Sequence, residues 1–293
     1  MKHVSEIISG VMAECPKPIL TGLQQLDEQI GGYYPSELTT VCGRENVGKT
    51  AFIVHQVNRL AVDMGVATYL YAGYVDERVW LSMMVAYYCG IQTIDFHSVL
   101  YSPKYATPVK EYLEKLKKAP LFVEFGMEQS FSIDHVMDVV KRENIRIAFF
   151  DDANWLTEEN RALKRVAVAC RIPVVASAET WLHEREGMDG RRPMLSDLEM
   201  VTGGYGSDVV IGLTDFETDH IFMDENGRSL RGILELSILK HKGMMKLSRI
   251  RIRKTMLYAK ELSGEDAMLY LEKTLEQNPH VSSLVDKLGL QMD

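Results

Sequence analysis

The chain has 293 residues, 46% of them hydrophobic and 25% charged, with a net charge of −8; this is enough for one large core with appendages and excludes a largely disordered chain. The acidic balance, with a pI near 5.6, argues against a protein that coats nucleic acid with its whole surface, and leaves room for a local basic lining. No apolar run reaches the roughly 18 residues of a membrane span, Met1-Lys2-His3 does not open a signal peptide, and Cys15, Cys42, Cys89 and Cys170 lack paired spacing, so a reducing cytoplasm without membrane contact is expected.

In chain order, Val4, Ile7, Ile8, Val11 and Met12 recur at helical spacing and predict an amphipathic helix over residues 1–15, ended by Pro16-Lys17-Pro18. Its apolar stripe either folds back on its own core or docks on a neighbouring subunit. Beyond it, β-type apolar runs alternate with helical patterns, the signature of an α/β domain with a mostly parallel twisted sheet flanked by helices. The predicted strands are Leu38–Cys42, Ala67–Ala72, Leu121–Phe125, Arg146–Phe150, Pro173–Ala178 and Val209–Leu213. Helices are predicted at Thr50–Met64, Glu77–Tyr88, Pro108–Lys118, Ile133–Arg142 and Glu158–Cys170, with Thr107, Ser132 and Thr157 as N-caps and Gly65 and Gly90 as stops. After residue 213 the helices cease. A turn at Asp224-Glu225-Asn226-Gly227 and strands at Gly232–Lys240 and Lys246–Arg253 predict antiparallel hairpins at the end of a domain spanning 16–255. Residues 256–293 carry apolar residues at helical spacing from Ser263 on and read as a helical C-terminal appendage.

Between the first strand and its helix lies Gly43-Arg44-Glu45-Asn46-Val47-Gly48-Lys49-Thr50, of the form G-x4-G-K-T and followed by Ala51. In that strand–loop–helix setting the motif reads as a phosphate cradle. The amides of Asn46 to Thr50 converge on a β-phosphate at the positive end of a helix, Lys49 reaches the β/γ oxygens, and the Thr50 hydroxyl suits Mg2+. The acid that completes a metal site is expected at the end of an apolar strand near the loop, and Ile147-Ala148-Phe149-Phe150-Asp151 supplies it as Asp151. ATP with Mg2+ is the implied ligand.

These residues carry a family resemblance. Ile19-Leu20-Thr21-Gly22-Leu23, Leu26-Asp27, Gly31-Gly32 and Ser36-Glu37-Leu38 resemble the start of RecA-type ATPase domains. Ala119-Pro120-Leu121-Phe122-Val123, Ile172-Pro173-Val174-Val175-Ala176 and above all Arg191-Arg192-Pro193-Met194-Leu195-Ser196-Asp197-Leu198 look like the C-terminal motor domain of the replicative DnaB helicases. The likeness runs from about residue 19 to 253, without that family's N-terminal, primase-engaging domain. It implies a RecA-like core, a nucleotide held between subunits of a homo-oligomeric ring, action on single-stranded DNA, and an N-terminal helix by which one subunit grips the next.

Departures from the family pattern bear on chemistry. Where the family carries the glutamate that activates water, this chain reads Ala72-Gly73-Tyr74-Val75-Asp76, and a phenol with a reference pKa near 10 is a poor base at neutral pH. Two carboxylates offer a substitute: Asp152, directly after the metal acid, and Glu179, where the family has a γ-phosphate-sensing glutamine. Where the family supplies an arginine finger and a lysine to the neighbour's phosphate, the chain reads Lys240-His241-Lys242-Gly243, so Lys240 and Lys242 are the expected trans cations. A DNA-facing loop is expected at 183–206, through Arg185, Arg191, Arg192 and Gly203-Gly204-Tyr205-Gly206. Two functions stay open at this stage: a ring-type ATPase that moves along or remodels single-stranded DNA, and a hydrolysis-impaired ATP-binding assembly module that recruits a protein partner through its C-terminal helices.

Overall fold

Strand β1 (Leu38–Gly43) is buried along its whole length, as expected for the apolar centre of a sheet covered on both faces. The computed structural model describes residues 3–6, 17–73, 75–90, 103, 105–126, 132–153, 161–180, 191–202, 206–224, 226–242, 244–255 and 258–261. Eight further strands join β1: β2 (Thr68–Ala72), β3 (Leu121–Phe125), β4 (Ile147–Asp151), β5 (Val174–Glu179), β6 (Val209–Thr214), β7 (Ile233–His241), β8 (Met244–Thr255) and β9 (Tyr258–Glu261). Their order across the sheet is β3-β2-β4-β5-β1-β6-β7-β8-β9. The first six lie parallel and β7 to β9 antiparallel, so the mostly parallel sheet with an antiparallel end is as the sequence predicts.

Alternation along the strands separates two apolar layers. Leu70, Phe149, Val175 and Val41 face one side, under α1 (Gln24–Ile30), α2 (Lys49–Val57), α3 (Glu77–Cys89) and α4 (Ala106–Leu116); Tyr69, Phe150, Val174 and Ala176 face the other, under α5 (Ile133–Arg142) and α6 (Ala162–Cys170). A last helix, α7 (Leu195–Thr202), sets Leu198 against Cys42, Ala178, Val210 and Leu239. Ser132 caps α5, its hydroxyl accepting from the His135 N–H, and Gly90 closes α3 in the left-handed region. A cap the sequence leaves unmarked is Asp76, which accepts from the Val79 N–H at the start of α3.

The differences are local and have physical causes. The helix expected from Pro108 starts at Ala106 behind Tyr105, with no side-chain cap, because proline is tolerated anywhere in the first turn, where its missing N–H has no partner to lose; Thr107 therefore lies inside the helix. The helix after the glycine loop changes to a π-turn over Asn58–Asp63, where Asn58 is drawn into the core to accept from the Tyr112 hydroxyl at 2.6 Å. Strand β9 pairs with β8 and carries the sheet past the boundary expected at 255. Of the predicted N-terminal stripe only Val4 is described, and it is 60% exposed; Ile7, Ile8, Val11, Met12, the Thr157 cap and the C-terminal helices lie outside the described residues. Cys42, Cys89 and Cys170 are free thiols.

Candidate nucleotide site

Parallel strands present their C-terminal ends together, and here four adjacent tips form one rim. Gly43 of β1 lies beside Glu179 of β5, and Ala72 of β2 beside Asp151 of β4. Lys49, Thr50, Asp151, Asp152 and Glu179, remote in sequence, are thereby brought to one place. Four of the predicted strands run one residue further than their apolar runs suggest, to Gly43, Asp151, Glu179 and Thr214, and two of those residues are acids.

The loop from Gly43 to Gly48 is shaped by its glycines. A Cβ on Gly43 would meet the Val47 Cγ1 at 2.7 Å and the Leu213 carbonyl oxygen at 2.9 Å, so only glycine leaves room for the chain to turn. Asn46 and Gly48 hold φ of 59° and 100°, the left-handed conformation that asparagine and glycine tolerate. Val47 is buried and anchors the loop to the core, while Glu45 and Asn46 are exposed. Helix α2 then opens at Lys49, with Ala51 in its first turn, so the loop amides stand at a positive helix end. The Lys49 ammonium donates to the Gly43 and Arg44 carbonyls at 3.1 and 2.7 Å. Burial pushes its pKa down, and the charges of Glu179, Asp152 and Asp151 oppose that shift. Arg44 forms an ion pair with Asp219.

Asp151 is buried at the tip of β4. Its Oδ1 accepts from the Ser177 hydroxyl at 2.6 Å, and it is hydrogen-bonded to Thr50. Ser177 in turn accepts from the Asp152 N–H at 2.7 Å, and Asp152 adopts a φ of 55°. Burial is the largest influence on Asp151 and raises its pKa; the hydrogen bonds from Ser177 and Thr50 and the charge of Lys49 act against it. A buried carboxylate beside a hydroxyl, at a phosphate cradle, is a donor set that fits a hard divalent cation completed by phosphate oxygens and water. Thr50 and Asp151 would hold Mg2+, which when bound offsets phosphate charge.

The raised pKa of Asp151 sets a pH prediction. A carboxyl with its folded pKa above the unfolded value contributes stability that is present below the unfolded pKa and is lost as pH rises through the folded one. Asp151→Asn removes that loss, so the variant is expected to melt above the wild type at pH 7 in the absence of nucleotide, while the Mg2+-dependent part of nucleotide affinity disappears. Thermal unfolding at pH 4 and pH 7 checks this, and a variant that melts below wild type at pH 7 would contradict it.

Not every expected site residue joins the cluster. Because β7 runs antiparallel to β6, Lys240 lies opposite Val210 near the start of β6, and the Lys242 N–H donates to the Asp208 carbonyl at 2.7 Å. Lys242 sits over the Tyr34 ring at 3.9 Å and 3.7 Å from Glu37. Lys240 lies level with Thr40, roughly 10 Å along the strand direction from Gly43 and two strands across, and Lys242 is further, about 17 Å along, so neither can act on a phosphate bound by its own chain. Tyr74 lies outside the described residues.

In the described part of the loop expected to face DNA, the run from Arg191 to Leu198 ties Arg192 into the scaffold and leaves Arg191 exposed. Arg192 is buried, donating from Nε to Glu235 Oε1 at 2.5 Å and from Nη2 to Oε2 at 3.2 Å. Arg191 reaches Asp219 at 3.5 Å, the same carboxylate that holds Arg44. Pro193 packs over Gly212, where a Cβ would meet its Cγ at 2.6 Å. Asp197 accepts from the Met194 N–H at 2.7 Å, satisfying an orphan donor at the start of α7. Residues 183–190 and 203–205 lie outside the described residues. Sequence reasoning missed Ser177, Asp219 and Glu235; only Ser177 left a signal, as a lone hydroxyl inside an apolar strand.

Comparison with known proteins agrees with this fold. The family model of the DnaB-like helicase C-terminal domain matches residues 18–242. The replicative DNA helicase DnaB of Nostoc sp. is 23% identical over 192 residues, covering 60% of this chain and 22% of that protein. The replicative DNA helicase DnaB of Treponema pallidum is 22% identical over 197 residues, covering 61% and 44%. The chain thus spans less than half the length of these curated relatives. Among solved structures, a DnaB-like replicative helicase described with its primase interactions superposes with a TM-score of 0.73 at 17% identity, over 90% of this chain and 68% of that one. A second solved structure, an ATPase domain on its own, superposes at 0.70 and 17% identity, over 89% of this chain and 97% of that one. At such identity these structures speak to the fold.

Proposed function

The chain belongs to the DnaB-like helicase C-terminal domain family, and from that premise we propose that it is an ATPase that binds MgATP between subunits of a homo-oligomeric ring and acts on single-stranded DNA as a motor or remodeller. The observation that carries this reading is the convergence of Lys49, Thr50 and Asp151 at the end of β1 and β4, with Ser177 holding the acid. Residues 43–51 would bind the nucleotide, Lys49 neutralising the β/γ oxygens and Thr50 with Asp151 holding Mg2+. Lys240 and Lys242, out of reach of their own chain's loop, would serve a neighbour, which makes the assembled ring the active species. A cytoplasmic location goes with this reading; among the described residues no helix is long and apolar enough to cross a membrane.

A second reading is favoured by one residue. Tyr74 stands where a carboxylate would be expected to activate water, so the chain would bind ATP to assemble and would recruit a protein partner through residues 256–293, with little hydrolysis. Two measurements separate the readings. Calorimetric titration should give MgATP binding that Lys49→Ala weakens by at least about tenfold, and phosphate release should rise when single-stranded DNA is added. Unchanged affinity in the variant would remove the phosphate-loop assignment; binding without any phosphate release would select the second reading.

A further inference from the structure

We infer that Glu179 is the general base of this site, taking the proton from the water that attacks the γ-phosphorus; the inference rests on the nucleotide reading above. Position is its first support. Glu179 ends β5, directly beside Gly43, and the next residue, Thr180, donates its N–H to the Gly43 carbonyl at 3.0 Å, so the β5 tip is fastened to the phosphate loop itself. Ser177 and Glu179 are two residues apart on one strand and share a face. Ser177 uses that face to bond Asp151, so the Glu179 side chain stands on the same side of the sheet as the metal acid and the glycine loop.

The other acids are less well placed. Asp151 is 5% exposed and is taken up by Ser177 and Thr50. Asp152 directly follows β4, which β5 separates from β1, and its Cβ lies on the β2 side, 3.4 Å from where a Cβ of Gly73 would stand. Tyr74 offers only a phenol. Glu179 is half-buried, open enough for water to reach it. Its charge is also the largest carboxylate influence on the Lys49 ammonium, the group that meets the β/γ oxygens.

The step balances without a further reactant. As the water oxygen bonds to the γ-phosphorus, the bond from that phosphorus to the β,γ-bridging oxygen breaks, and its electron pair stays on the diphosphate. The water proton passes to the Glu179 carboxylate, which returns it to solvent. The positive charge of Lys49 offsets the repulsion between that carboxylate and the phosphates.

The test uses the full chain with MgATP, measuring phosphate release in single turnover and nucleotide affinity separately. Glu179→Gln should lower turnover by about 100-fold or more while affinity stays within about threefold, and Glu179→Asp, which keeps the carboxylate but shortens its reach, should fall between the two. A structural role would move affinity and melting temperature with turnover, so a loss tracking those quantities would overturn the inference. So would turnover in Glu179→Gln within about tenfold of wild type, a loss that falls on Asp152→Asn instead, or a wild type that binds ATP and releases no phosphate. A wild type that binds no triphosphate would remove the nucleotide reading itself, an outcome the affinity measurement reports on its own.

Discussion

Replacing Arg192 by leucine is expected to cost about 3–5 kcal/mol of folding stability, the loss that follows when one member of a buried ion pair is removed. The Glu235 carboxylate is 1% exposed and takes two bonds from Arg192. Without them it keeps only Arg251, whose Nε lies 3.3 Å away and which also serves Asp224, so the lower end of the range applies. The Arg192 guanidinium also lies over the Phe216 ring at 5.0 Å, a contact that leucine replaces only in part. Removing both charges, as Arg192→Leu with Glu235→Leu, should recover much of the loss, since no unpaired charge is then left in the core. Urea unfolding of the two single variants and the double variant measures the coupling. A cost below about 1 kcal/mol in the single variant would mean that water reaches Glu235 and that the pair is not a core tie. The consequence extends to the nucleotide site, because the same segment places Arg191 on Asp219, the carboxylate that holds Arg44 of the loop.

That tie shows where sequence reading reaches its end. The run from Arg191 to Leu198 is legible as a motif, but its basic residues suggest a surface that meets DNA, whereas Arg192 is spent on a glutamate 43 residues away. Nothing local marks Glu235 as buried, since it alternates with Leu234 and Leu236 in a strand whose inward face could be either. The strands and the glycine loop are legible because apolar β-branched runs and a fixed glycine spacing are local signals. Asp151 and Glu179 are legible as strand-tip acids for the same reason. What brings Glu179 beside Gly43 is strand order, a pairing across 136 residues that no local pattern encodes. The short helix Gln24–Ile30 carries only Leu26 and Ile30 into the core, too few positions for a periodicity to show. The π-turn at Asn58–Asp63 begins at the residue that accepts from the Tyr112 hydroxyl, a partner that only folding brings there.

The two hairpin lysines lead to the second large effect. Lys240 and Lys242 are legible as cations in a hairpin, but only the antiparallel run of β7 turns them away from their own loop. If the active site is shared between copies, Lys49→Ala and Lys242→Ala disable opposite halves of it. Each variant alone should lose about 100-fold or more in phosphate release, because one lacks the cradle lysine and the other the cation supplied to its neighbour. In a randomly assembled one-to-one mixture, about a quarter of the interfaces join an intact Lys49 to an intact Lys242.

Mixing these two inactive variants therefore tests the shared site most directly. Phosphate release should return to about a quarter of the wild-type rate when the proteins are combined under conditions that let subunits exchange, and should stay at background when each is assayed alone. A mixture no more active than the mean of its two components, in a preparation that light scattering shows to be co-assembled, would contradict a nucleotide site completed by the neighbouring copy.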